Sequence, residues 1–394
     1  MTAGSGQMQS KSWMVTTLFN SVAIQASTYL ARPMISYKLL ELHSSSFTIG
    51  AFGALYALFP LILAIPLGRW INQLGEGRFI AIGTSAIVLS TWLLGISQSR
   101  IAMVFLVASL GTAQLLCMAG AQALFANRTP RGSYENYFGY YTFSAALGQL
   151  VGPLIGASVS GSGGILPKST SHAFFASALI ASLGIIPLLI KMPMRPTFDL
   201  SAKSSRESAS LIRLLSNPGM LTAMFASLAV SSTVDVLVVF LPVFGKEKGF
   251  TSGAIGIILA LRAASSMLSR VNLGKLTKVV GYYKLLIGSI IASSIACILA
   301  IFSTSPVMLG AIILFAGFSL GMGQPMTMAW VSRISRDDER SFAISIRLAG
   351  NRLGQFLLPA LAGLISGIFG AGAVFVALAL LMSSTTPAIL KKAK

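Results

Sequence analysis

The sequence predicts an all-α membrane protein of twelve transmembrane helices in two six-helix bundles. Three observations carry that expectation: recurrent apolar runs, cations confined to alternate loops, and an internal repeat. Of 394 residues, 54% are hydrophobic and only 10% charged, and the mean hydropathy is +0.79. So few polar side chains could not cover a soluble globule of this size, and lipid must cover it instead. Runs of about 20 apolar residues suffice to cross a hydrocarbon core of about 30 Å as helices. Such runs lie near 14–35, 46–67, 79–97, 101–125, 136–158, 172–190, 219–241, 253–273, 283–303, 307–331, 341–364 and 371–388.

A formal charge of +19 would also suit a nucleic-acid binder, so the placement of the cations decides. With a cytoplasmic N-terminus, the inner loops hold 20 Lys and Arg, and the outer loops keep five: Lys38, Arg100, Lys168, Lys246 and Lys248. This is the positive-inside bias, and it predicts a multi-pass protein of the inner membrane with both termini cytoplasmic and no nucleic-acid partner. The polar start MTAGSGQMQSKSW is expected to carry no cleavable signal, leaving the first helix as the targeting segment. Cys117 and Cys297 fall inside apolar runs, where a thiol behaves as a small hydrophobe, so no disulfide or metal role is expected.

The longest hydrophilic segment, 191–217, reads as a cytoplasmic linker rich in Pro, Ser and cations. The expected organisation is a tail over 1–13, a bundle over 14–190, the linker, a second bundle over 218–390 and a tail over 391–394. The two bundles are related by a repeat. GRWINQLGEGR begins at Gly68 and GKLTKVVGYYK at Gly274, an offset of 274 − 68 = 206. LGQLVGPLIG carries Gly148 and Pro153, LGQFLLPALAG carries Gly354 and Pro359, and these pairs are also 206 apart. Two unrelated segments sharing one offset imply parallel bundles related by an axis along the membrane normal.

These segments are where the chain resembles a known family, the major facilitator superfamily, over essentially its whole length. GRWINQLGEGR is similar to that family's signature loop, G-x-x-x-D-x-x-G-R-[KR], with Gly68, Arg69, Gly75 and Arg78 in place and Asn72 where Asp is usual. Its diluted copy keeps Gly274, Lys275, Gly281 and Lys284. In the fifth span, Gly148, Gly152, Pro153 and Gly156 match the G-x-x-x-G-P-x-x-G signature of the twelve-span drug-proton antiporters, which in the family is associated with exporters. Physically, small residues four apart let helices approach closely and Pro153 permits a bend, so the segment also reads as a packing seam without a say in direction. Two departures count against an ordinary proton antiporter: Val107 stands where the fourth-span signature has Arg, and the first span has no acid.

The resemblance implies a secondary active transporter that works by alternating access around a site near the midplane. The residues inside the spans add candidates of their own. Arg32, Asp235, Arg262, Arg347 and Arg352 are ionisable groups in apolar runs, each costly in lipid and so expected to face the protein interior or a water-filled cavity. Asp235 and Arg262 fall at similar depth, about 9 and 13 Å from the outer ends of their spans. Two roles stand open for Asp235: a proton-coupling group that exchanges as solute or Arg262 comes and goes, or a fixed pair that orders the second half. Arg32 is near enough to the outer surface to snorkel. Arg352, beside Asn351 in mid-span, is the better cavity candidate of the last arginines.

Several arginines against one acid favour a neutral or anionic solute over a cation. Gln114, Met118 and Gln122 recur every four residues, Phe138, Tyr140, Tyr141 and Phe143 follow in span five, and Gln324-Pro325 and Trp330 lie in span ten. Aromatic faces with amide donors suit a planar ring bearing carbonyls or ring nitrogens, although tyrosines and Trp near helix ends commonly serve as interface anchors. The partners expected are therefore a small-molecule solute and the lipid bilayer, for a monomer that needs no cofactor.

Enzyme chemistry finds little support. His43 and His172 sit at separate outer loop edges, and neither an H-E-x-x-H metal motif nor a nucleophile elbow is present. There is no G-x-x-x-x-G-K-[ST] nucleotide loop, so energy would come from a gradient. The linker of 191–217 is too short for the output domain of a receptor. Efflux of an organic solute leads on the fifth-span motif, and uptake of an aromatic nutrient or vitamin such as a flavin follows because the antiport residues are missing.

Overall fold

The computed structural model describes residues 3–128, 134–161, 163–191, 211–335 and 340–393. Among them the chain forms helices only: α1 (Ala3–Glu41), α2 (Ser46–Leu74), α3 (Glu76–Ile96), α4 (Arg100–Arg128), α5 (Tyr134–Val159), α6 (Thr170–Lys191), α7 (Leu211–Ser216), α8 (Met220–Glu247), α9 (Ser252–Val280), α10 (Tyr282–Ile301), α11 (Pro306–Ile334), α12 (Arg340–Phe369), α13 (Ala371–Ser383) and α14 (Thr386–Ala393). Each predicted apolar run lies on a long helix, with one exception. The last run is broken at Ser384–Thr385 into α13 and α14, just before Pro387 in the first turn of α14.

Eleven of the described segments are long and apolar enough to cross a membrane by length and composition. The twelfth helix of the predicted set is α1. Its described part carries Thr16, Thr17, Asn20, Ser21, Gln25, Ser27, Thr28 and Arg32, all buried, which lowers its hydropathy while placing the polar groups inside the protein. The predicted outer-loop position of Lys38 is corrected by the length of this helix: Lys38 lies in its last turn and is buried. Large apolar side chains such as Phe105, Val271, Val307 and Ile368 are more than two-thirds exposed, a surface suited to lipid rather than water.

The offset read from two motifs is the register of whole helices. The starts of α2 and α9 (252 − 46), of α3 and α10 (282 − 76), of α4 and α11 (306 − 100) and of α5 and α12 (340 − 134) all differ by 206, as do the ends of α1 and α8 (247 − 41). Local chemistry repeats with it. Ser45 and Thr251 cap α2 and α9 by accepting from the backbone N–H three residues on, and Ser99 and Ser305 do the same for α4 and α11. Gly75 and Gly281 each turn the chain in one residue at φ 97° and 88°, a region that glycine adopts without strain.

The chain divides into two compact units. Unit 1 comprises Met1–Ile35, Leu58–Gly161 and Lys168–Lys203, and unit 2 comprises Ser36–Ala57, Ser162–Pro167 and Ser204–Lys394. In unit 1, α3 packs on α4 and α6, and a core of Trp13, Ile80, Leu124, Phe125, Tyr141 and Leu188 ties α1, α3, α4, α5 and α6 together. In unit 2, α9 packs on α11, α8 on α12, and α10 on α11 and α13. The Glu247 carboxylate at the end of α8 accepts from the Ala371 N–H at 2.9 Å and so caps α13.

Candidate functional site

Close helix approach positions the polar groups of unit 1. The fifth-span glycines form one face of α5 against α1: a Cβ on Gly148 would collide with the Val22 carbonyl, and one on Gly152 with the Ala26 carbonyl. Gly156 continues the ladder at Leu30. With α1 held this way, its polar stripe meets the neighbouring helices. Asn20 donates to Thr84 Oγ1 on α3 (3.0 Å) and to the Gly184 carbonyl on α6 (3.1 Å). Ser27 pairs with Ser177 on α6 at 2.7 Å, and Gln114 on α4 donates to Thr28 Oγ1 at 3.3 Å.

Between α1, α4 and α5 lies a small, half-open cleft lined by Asn20, Ser21, Ile24, Gln25, Cys117, Met118 and Tyr141. Its described lining carries no ionisable acid or base of the Asp, Glu, Lys, Arg or His type. Gln25 Oε1 is buried there without a hydrogen-bond partner among the described residues, leaving an acceptor that a donor from a solute could satisfy. Tyr141 is buried and tilts against Phe125 at 5.5 Å, while its sequence neighbours Tyr140 and Phe143 are about half exposed. The aromatic cluster of span five thus splits, with one ring in the cleft and two outward; Phe138 lies outside the described side chains. Gln122, on the same four-residue stripe of α4 as Met118, is half-buried.

Unit 2 holds the repeat-related positions. Gly354 on α12 meets Leu228 and Ser232 on α8, each 206 beyond the residues Val22 and Ala26 that face Gly148 and Gly152. Adding 206 to Ser21, Gln25, Met118 and Tyr141 gives Ser227, Ser231, Gln324 and Arg347. Arg347 Nη1 donates to Ser227 Oγ at 2.7 Å, and Gln324 Nε2 donates to Ser231 Oγ at 3.1 Å. Arg347 is only 5% exposed, and its Nε has no hydrogen-bond partner among the described residues. Arg352 is half-buried and bonds Gln355 on its own helix at 2.9 Å, while Asn351 is buried with Oδ1 unpartnered among the described residues. Arg262 is buried on α9, where Gly317 of α11 presses on its backbone, and Asp235 is half-buried on α8. Trp330 is buried edge-on to Tyr283 at 5.7 Å, inside the protein rather than at an interface. Pro359 sets its carbonyl against Gly50 and its Cβ against Gly53.

One family model, described as the Major Facilitator Superfamily, matches residues 17–279 and again 223–390. The chain belongs to the Major Facilitator Superfamily. It is a multi-pass membrane transporter and not an enzyme, with the twelve-helix arrangement of that superfamily. Multidrug resistance protein 1 of Bacillus subtilis (strain 168) is 24% identical over 98% of this chain and 99% of that protein. Multidrug resistance protein MdtG of Dickeya zeae (strain Ech586) is 23% identical over 81% of this chain and 78% of its own length. Among solved structures, the nucleoside transporter NupG superposes with a TM-score of 0.77 at 15% identity, covering 97% of this chain and 99% of that one.

Against the superfamily signature loop, Gly75 supplies the one-residue turn between α2 and α3 and Arg78 is exposed on α3. Gly68 and Arg69 lie on α2, with side chains outside the described set. Glu76, beside the turn, is buried and accepts from Asn127 Nδ2 of α4 at 2.6 Å. Gly274 of the diluted copy faces open space and Gly281 makes the equivalent turn. Sequence reasoning passed over Asn20, Ser21, Gln25 and Thr28, and their periodic spacing along α1 was the available signal. It also gave Arg32 a surface role, whereas Arg32 is 7% exposed with its guanidinium 6.0 Å from the Tyr29 ring.

Proposed function

We propose that this superfamily member exports a small neutral or anionic solute with a planar aromatic ring from the cytoplasm by alternating access, residing in the inner membrane with both termini cytoplasmic. The observation that carries the reading is the cleft of unit 1, whose described lining offers an aromatic ring, a thioether and amide groups but no carboxylate to attract a cation. Tyr141 and Met118 would contact the ring face, and Gln25 Oε1 would accept from a ring or amide N–H. Gln114, which holds Thr28, would position α1 beside the ring. Direction is supported by the multidrug resistance names of the two relatives and by the Gly148–Gly156 segment on α5. Asp235 is the proposed proton-coupling group, because it is the acid set deepest in a predicted span.

A second reading, uptake of an aromatic nutrient or vitamin such as a flavin, is favoured by Val107, which puts a buried apolar side chain where the antiporter signature has Arg. Flux of labelled neutral, anionic and cationic ring compounds in proteoliposomes, with Ser21→Phe to fill the cleft, separates the outcomes. The proposal expects neutral or anionic rings to move and Ser21→Phe to stop them. Cation-selective flux, or flux indifferent to Ser21→Phe, rules it out.

A further inference from the structure

Arg347 is a buried cation whose described neighbours leave it short of acceptors. A guanidinium has five N–H donors in a planar fork. Here one of them reaches Ser227 Oγ, and the Nε is enclosed without a partner among the described residues. The described acids of unit 2 are Glu41, Asp235 and Glu247. Asp235 lies eight residues along α8 from Ser227, about 12 Å away at the rise of a helix. Glu247 is farther still and caps α13. No described acid lies on α9, α10, α11 or α12, and Glu207, Asp337, Asp338 and Glu339 lie outside the described residues.

A purely structural pin between α12 and α8 would be made more cheaply by a neutral residue, because an enclosed charge with no acid beside it among the described residues is costly. Snorkelling to lipid headgroups does not explain the side chain either, since Arg347 is only 5% exposed. The second observation is positional. Arg347 occupies the repeat-related place of Tyr141, Ser227 that of Ser21, Ser231 that of Gln25 and Gln324 that of Met118, so a cationic constellation in unit 2 corresponds to the open, neutral cleft of unit 1. Ser227 and Ser231 are one helical turn apart on one face of α8, which sets their two hydroxyls side by side.

We propose that Arg347, with Ser227, Gln324 and Ser231, forms an anion subsite that takes the carboxylate of an aromatic acid. The subsite rests on the transport reading above and narrows it to organic acids among the solutes carried. A carboxylate can meet the guanidinium edge with two oxygens, one at Nε and one at a terminal nitrogen, in the forked geometry that suits arginine over lysine. Ser227 then turns its hydroxyl to donate to the carboxylate instead of accepting from Arg347.

The test uses the full chain in lipid nanodiscs with benzoate as probe and benzamide as its neutral counterpart, read as thermal stabilisation across a concentration series. Benzoate is expected to stabilise the wild type and Lys278→Gln, which removes an exposed cation, with equal affinity. Arg347→Gln is expected to bind benzoate about 10- to 100-fold more weakly and benzamide unchanged. If Arg347→Gln fails to fold, Arg347→Lys decides: retained but weakened benzoate binding supports the fork, and unchanged affinity overturns it. Benzoate that stabilises wild type and Arg347→Gln alike, or fails to stabilise the wild type, overturns the subsite. Flux of neutral rings through the same preparations reads the transport proposal separately, so that persistent flux with failed benzoate binding removes the subsite alone.

Discussion

In unit 1 the eighth residue of α5 is Tyr141, a neutral ring beside a cleft of amides and a thioether; in unit 2 the eighth residue of α12 is Arg347, whose guanidinium reaches Ser227. The helices that hold the two side chains share a register of 206 and the same glycine-against-helix contact at Gly148 and Gly354. Backbone packing is what the duplication preserves, because a Cβ at either glycine would meet α1 or α8. The side chains projecting from that frame are free to diverge, and they have done so in charge.

Forcing one unit's chemistry on the other is expected to have the largest effect. Tyr141→Arg introduces a cation among Phe125, Met118 and Gln25, none of which can neutralise it, and is expected to destabilise the protein by about 3–5 kcal/mol. Thermal unfolding in nanodiscs checks it, and a neutral effect would mean the cleft is wet enough to solvate charge. Next in size, Gly152→Val drives a side chain into the Ala26 carbonyl and is expected to cost about 1–3 kcal/mol or more, with Gly354→Val showing a loss of the same order if the two contacts are equivalent. A milder loss of about 1 kcal/mol is expected for Gln114→Leu, which removes the hydrogen bond to Thr28. Smallest, and opposite in sign, Gly350→Ala has open space for its methyl and is expected to stabilise α12 by up to about 1 kcal/mol. Chemical denaturation with helical signal as readout resolves all three.

These effects also mark what the sequence could tell. The repeat was legible because motif residues that set backbone geometry, Gly75 with Gly281 and Gly148 with Gly354, are tied to position and tolerate little change. The twelve apolar runs were legible because lipid imposes length and hydropathy on each helix separately. Partnerships across helices were not. Asn20 with Thr84 and Gly184, and Arg347 with Ser227, depend on the rotation and approach of helices far apart in sequence, which no spacing along one helix encodes. Lys38 was misassigned to a loop for a related reason: a buried polar stripe on α1 makes hydropathy end the helix early. Tyr140 and Tyr141, adjacent and alike in composition, illustrate the limit, one facing outward and one lining the cleft.

Proton-driven export of a neutral or anionic ring compound, coupled through Asp235, is the proposal on which the rest depends. It is decided by flux of labelled ring compounds in proteoliposomes under an imposed pH gradient, with wild type and Asp235→Asn in parallel. Gradient-driven export of neutral or anionic rings is expected from the wild type, with only the driven component lost in Asp235→Asn. Transport indifferent both to the gradient and to that substitution would refute the coupling, leaving Asp235 a structural residue and the protein a facilitator or an uptake carrier.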